Sequence, residues 1–125
     1  MIDKISLVNA AIKARENAYA PYSKYKVGAA LLAKSGRVYT GCNFENASFG
    51  AGTCAECVAL GAALAAGERD FVAVACVADG NVTPCGICRQ ALAEFGDITV
   101  YCADTNGENI REYKLSELLP HAFEM

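Results

Sequence analysis

Residues 71–103 read FVAVACVADGNVTPCGICRQALAEFGDITVYCA, and this stretch decides the fold class. Phe71 to Ala78 is apolar at every position, as expected of a central strand buried on both faces. Asp79 to Thr83 reads as a turn. Thr83-Pro84 reads as an N-cap with proline at the first helical position, and that helix ends near Phe95, before Gly96. Ile98 to Ala103 is a second strand.

Outward from this unit, Ile5, Val8, Ile12 and Arg15 to Tyr19 keep helical spacing, and Pro21 stops that helix. Val27 to Lys34 and Arg37 to Cys42 read as strands joined at Ser35-Gly36, a pair suited to a tight hairpin. Asn43 to Gly52 is polar and glycine-rich, so it is expected to be a loop. Thr53 is expected to cap a helix reaching about Ala66, with Gly67 as its stop. A turn at Asp104 to Glu108, a short strand near Ile110 to Lys114 and a helical turn at Ser116 to Leu119 complete the chain. Strands alternating with helices imply an α/β fold, one sheet with helices packed on its faces.

The chain has 125 residues, a length typical of one domain of roughly 100–150 residues. Its 54% hydrophobic content exceeds the usual share, which points to a subunit interface. The net charge of -3 and pI of about 5.1 argue against a dedicated nucleic-acid or anionic-membrane binder. Asp3, Lys4, Lys13, Arg15 and Glu16 interrupt any signal-peptide core, and Val58 to Ala66 is about half a membrane span. A soluble, cytoplasmic protein is therefore expected. In a reducing compartment its seven cysteines suggest metal binding or catalysis, not disulfides.

Four of these form two pairs, Cys54-x-x-Cys57 and Cys85-x-x-Cys88. One reading is a structural zinc site with four thiolate ligands. The other gives zinc three ligands, Cys54, Cys85 and Cys88, because Cys57 lies nearly a turn deeper in its helix. That leaves one coordination position open, the pattern of a catalytic site. Helix starts favour thiolates through free N–H groups and partial positive charge. Glu56 also has two readings: the last member of a capping box Thr53-Cys54-Ala55-Glu56, or a proton shuttle beside a zinc-bound water. Cys42, Cys76 and Cys102 read as buried small apolar residues.

Cys54-Ala55-Glu56 with Pro84-Cys85-Gly86-Ile87-Cys88-Arg89-Gln90 resembles the zinc nucleoside deaminases, in the variant with three cysteine ligands. Gly41 to Gly50 (GCNFENASFG) is similar to the nucleoside-binding loop of the cytidine deaminase family. Ala20 to Tyr25, Val27 to Ala30 and Glu117 to Phe123 match that family in the same order, so the likeness covers nearly the whole chain.

The resemblance implies a three-layer α/β fold, one mixed sheet of about five strands flanked by helices, forming a single domain over residues 1–125. It implies one Zn²⁺ per subunit on Cys54, Cys85 and Cys88, with Glu56 as the catalytic residue. The implied reaction is hydrolytic deamination of cytidine and 2'-deoxycytidine to uridine and 2'-deoxyuridine, a step of pyrimidine salvage. Zinc-bound hydroxide would attack C4 while Glu56 moves protons. Asn43 and Glu45 would bind the sugar hydroxyls, Tyr25 would pack on the substrate, and backbone groups near Ala55 would read the base edge. Phe123 would reach a neighbouring subunit's site in a homotetramer. Two positions depart from the family pattern. Cys57 stands where many three-cysteine relatives have arginine, so Arg89, Gln90 and the helix ends would have to offset more thiolate charge. Phe49 replaces a frequent tyrosine.

Three rivals remain at this level. A related deaminase could act on modified nucleosides, against which Asn43-x-Glu45 favours a plain sugar. A non-catalytic four-thiolate module would leave Glu56, Asn43 and Glu45 without shared purpose. An RNA- or DNA-editing deaminase sits poorly with the acidic pI.

Overall fold

The structure, a computed structural model, describes residues 2–80 and 82–125. Its five strands are β1 (Val27–Ala33), β2 (Val38–Cys42), β3 (Phe71–Ala78), β4 (Thr99–Ala103) and β5 (Arg111–Lys114). They form one mixed sheet in the order β2-β1-β3-β4-β5. β3 and β4 run parallel and every other neighbouring pair is antiparallel. Its helices are α1 (Lys4–Arg15), α2 (Ala55–Ala65), α3 (Gly86–Ala93) and the short α4 (Leu115–Leu118).

Side-chain alternation along β3 builds a three-layer sandwich. Ala73, Ala75 and Val77 face α1, where they pack with Leu7, Val8 and Ala11. Val74 and Cys76 face the other way, against Ala55, Ala59 and Leu60 of α2 and Leu92 of α3. The strand is thus covered on both sides, as its unbroken apolar run requires. Glycine permits the close approach of α2 to the sheet. A Cβ at Gly41 on β2 would meet the carbonyl of Ala55 and come within 2.5 Å of the Ala59 nitrogen. The first turn of α2 therefore rests directly on β2.

Three element boundaries differ from expectation, each for a tertiary reason. α1 ends at Arg15, not near Tyr19, because the Tyr19 backbone pairs with residues 43–45. Its N–H donates to the Asn43 carbonyl at 3.0 Å, and its carbonyl accepts from Glu45 at 2.8 Å. α2 is capped by Cys54, not Thr53, because Thr53 is held extended opposite Phe44 by two backbone hydrogen bonds of 3.0 and 3.1 Å. α3 is capped by Cys85, not Thr83, whose hydroxyl instead accepts from the Arg89 guanidinium at 2.6 Å. Asn81, inside the expected turn 79–83, lies outside the described residues.

Candidate metal centre and substrate cavity

Both helix starts that shifted put a cysteine at the N-cap. Cys54 and Cys85 have extended backbone (φ -72° and -69°) and precede the first turns of α2 and α3. Their sulfurs lie 3.6 Å apart. With Cys88, in the first turn of α3, the three Sγ atoms fall within 4.8 Å of one another. Among the described residues this is the one cluster of metal-ligand side chains that close. Sulfurs about 2.3 Å from a tetrahedral zinc stand about 3.8 Å apart, so the trio fits that ion. Cys88 is buried, Cys54 half-buried and Cys85 exposed, so the cluster opens to one side.

The electrostatics fit a cation as well. Burial, the neighbouring thiols and the Glu56 charge hold Cys54 up at about 11 and push Cys88 far above the ordinary thiol range. Burial acts on Cys85 in the same direction, but backbone N–H groups of Cys88 and Ile87 and the Cys54 thiol bring it below 9.0. Three crowded thiolates are mutually repulsive, and a divalent ion reverses that cost.

Cys57 stands apart. Its Sγ is 3.5 Å from Cys88 Sγ but does not join the other two within 4.8 Å. Arg89 makes its hydrogen bonds away from these sulfurs. Its guanidinium donates to the carbonyls of Pro84 and Leu118, both at 2.6 Å, and to Thr83. Gln90 is engaged with the chain end, bonding both the N–H and the carbonyl of Phe123. The expected compensation by Arg89 and Gln90 is therefore not made through hydrogen bonds to sulfur; the two helix starts face the cluster instead.

Glu56 is the buried acid of this site, 5% exposed in the first turn of α2. It closes no capping box, because the Thr53 N–H already donates to the Phe44 carbonyl at 3.0 Å. Burial raises its carboxyl above 4.5, against the pull of its own backbone N–H and the Cys76 thiol. A cavity of about 280 Å³ joins Glu56 to Cys54, Cys85, Ala55, Asn43 and Tyr25. That is the scale of a small-molecule site. Glu45 lies in an adjoining groove that shares Asn43 and Cys54 with this cavity.

The chain matches the family model for the cytidine and deoxycytidylate deaminase zinc-binding region over residues 1–104. It belongs to the cytidine and deoxycytidylate deaminase family. A cytidine deaminase of Halalkalibacterium halodurans is 52% identical over 126 residues, spanning 98% of this chain and 95% of that one. One from Mycobacterium tuberculosis is 44% identical over 116 residues, spanning 90% and 84%. The crystal structure of cytidine deaminase from Burkholderia pseudomallei superposes with a TM-score of 0.92 at 46% identity, covering 98% and 100% of the two chains. The Mycobacterium tuberculosis enzyme's crystal structure gives 0.87 at 40%, covering all of both.

As a deaminase-family enzyme, the chain brings most of the expected residues together: Cys54, Cys85, Glu56, Ala55, Asn43 and Tyr25 line one cavity, and Cys88 joins the two lining thiols from behind them through its buried sulfur. Phe123 is not among them. It is 71% exposed and does not line this chain's own cavity. Phe49 is 83% exposed and meets Tyr22 edge-on at 6.4 Å. Sequence reading missed two residues. Cys76 is buried as expected, yet it lines the cavity beside Glu56. Ala78, next on the same face of β3, lines the cavity too, and nothing in the uniformly apolar run of residues 71–78 marks either as a site residue. Ser23 contacts Glu45 across 22 positions of sequence, and no local pattern announces that.

Proposed function

We propose that this chain is a single-domain enzyme that hydrolyses cytidine and 2'-deoxycytidine to uridine and 2'-deoxyuridine with release of ammonia. The observation that carries this reading is a cluster of three sulfurs, two of which, Cys54 and Cys85, line one cavity together with the buried carboxylate of Glu56. Cys54, Cys85 and Cys88 hold one zinc ion per chain. Zinc supplies Lewis acidity that makes water a competent nucleophile near neutral pH. Glu56 does the proton work: its carboxylate takes one proton from the attacking water and delivers it to N3 of the ring, then takes the remaining proton from the hydroxyl now on C4 and delivers it to the departing amine, so that ammonia leaves as the C4 carbonyl forms. Its burial removes competing solvent from that exchange.

The rest of the cavity positions the nucleoside. The backbone of Ala55 reads the base edge at the start of α2. Tyr25 packs on the substrate, its hydroxyl anchored on the Asp79 carbonyl at 2.7 Å. Asn43 and Glu45 take the sugar hydroxyls; a carboxylate accepts such a bond strongly. Phe49, Ile87 and Phe123 are exposed apolar side chains, and they support assembly of a homotetramer in which Phe123 serves a neighbouring site. The net negative charge and acidic pI support a free nucleoside over nucleic acid as substrate. No helix among the described residues is long and apolar enough to cross a membrane. A cytoplasmic place in pyrimidine salvage follows from this activity.

The decisive experiment is ammonia release from cytidine by purified protein, with zinc measured on the same sample. Release with about one zinc per chain is expected. Bound zinc without release from either nucleoside sinks the reading.

A further inference from the structure

The loop at residues 20–25 and the pair Asn43/Glu45 are one hydrogen-bonded unit, and one side chain connects its halves. Glu45 Oε1 accepts from the backbone N–H of Tyr22 at 3.0 Å and of Ser23 at 3.1 Å. Its Oε2 accepts from the Ser23 hydroxyl. The same Ser23 oxygen accepts from the Tyr25 N–H at 3.0 Å. The Tyr25 carbonyl in turn accepts from Asn43 Nδ2 at 2.9 Å, and Asn43 Oδ1 accepts from Val27 N–H at 2.8 Å.

A carboxylate has about four acceptor positions. The loop uses three on Glu45, which leaves one on Oε2, the oxygen that Ser23 holds. Asn43 likewise gives one N–H to Tyr25, and its other N–H has no partner among the described residues. The backbone between Ser23 and Tyr25 shows how firmly this arrangement is imposed. Lys24 sits at φ +64°, in the left-handed region that disfavours a side chain, and its N–H donates to the Ala20 carbonyl at 3.0 Å. Such a conformation persists only where its surroundings over-determine it.

The geometry points to Ser23 as a positioning residue for nucleoside binding: its hydroxyl orients Glu45 toward the sugar and holds Tyr25 over the cavity at once. This rests on the reading that Asn43 and Glu45 receive the sugar. Ser23 touches no substrate atom itself. Its effect falls on the binding of the nucleoside and leaves the thiols and Glu56 untouched.

The test compares steady-state kinetics on cytidine for Ser23→Ala, Ser23→Thr, Glu45→Gln and Ser35→Ala. Ser35 makes the same kind of bond, to Glu68 at 2.6 Å, away from the cavity, and serves as the control. Ser23→Ala is expected to raise KM about tenfold with kcat within about twofold, since it removes a hydrogen bond to a charged group. Ser23→Thr, which keeps the hydroxyl, is expected to restore KM, and Ser35→Ala to change neither constant. If Glu45→Gln raises KM and Ser23→Ala does not, the role of Ser23 is overturned while the sugar reading stands. If neither raises KM, the sugar reading itself falls, and the proposal with it. A parallel loss of kcat and melting temperature in both Ser23 variants would make Ser23 a merely structural residue, and also overturns it.

Discussion

Cys54 and Cys85 cap the two helices that meet at the metal centre, with their sulfurs 3.6 Å apart. A thiolate at an N-cap sits where hydroxyls and carboxylates normally satisfy free N–H groups. A helix start contributes toward the thiolate, the form in which a cysteine would bind a metal. The two caps differ in outcome: at Cys85 the backbone N–H groups of Cys88 and Ile87 oppose the effect of burial and the thiol is lowered, whereas at Cys54 burial and the neighbouring Cys85 thiol prevail and the thiol is raised. Cys85→Ser is expected to abolish stoichiometric zinc binding, read by metal analysis after dialysis.

Cys57 tests the ligand count. It touches Cys88 at 3.5 Å but stands outside the trio. Cys57→Ser is expected to keep one zinc per chain and most of its turnover. Loss of metal from this variant would instead establish a four-thiolate site.

Glu56→Gln keeps the shape of the side chain and removes its ability to move a proton. Turnover is expected to fall by about 10²–10⁴-fold, the usual range for a positioned acid–base group. Zinc content is expected to stay at the wild-type level. Near-normal turnover would leave Glu56 a buried acid with no part in the chemistry.

The fold was more legible than the details of this site. The run Phe71 to Ala78 coincides with β3 because continuous burial leaves a plain apolar signature. Both expected threonine caps were wrong because the competing interactions come from elsewhere. Phe44 holds Thr53 extended, and Arg89 occupies the Thr83 hydroxyl. Cysteine is an uncommon cap, so local propensity pointed to the threonine beside it. The link from Ser23 to Glu45 is a contact between two loops, invisible to any periodicity.

Gly41 couples the sheet to the site. A Cβ there would press on the backbone of Ala55 and Ala59, in the turn that carries Glu56. Gly41→Ala is expected to destabilise the protein by about 1–3 kcal/mol, as overpacking typically does. Because backbone, not a flexible side-chain end, must give way, zinc retention is expected to weaken too. Chemical denaturation and metal analysis on the same variant check both effects.

Acid is expected to destabilise the chain through particular carboxyls. Asp97 accepts from the Ser116 N–H and hydroxyl, both at 2.8 Å, and these bonds hold it below its ordinary 3.8. Asp3, whose carboxylate accepts from Ser6 N–H at the start of α1, is lowered from 3.8 in the same way. Glu68 is lowered from 4.5 by Ser35 and Tyr39. A carboxyl lowered on folding binds its proton more readily in the unfolded chain. Its stabilising effect is complete above the unfolded value and is lost as pH falls through the folded one. Stability is therefore expected to decline from about pH 5 downward, and to hold steady against these groups at neutral pH. Asp97→Asn has no charge to lose, so its denaturation midpoint is expected to fall less steeply with acid than the wild type's. Parallel curves for the two proteins would show that Asp97 plays no part in acid sensitivity.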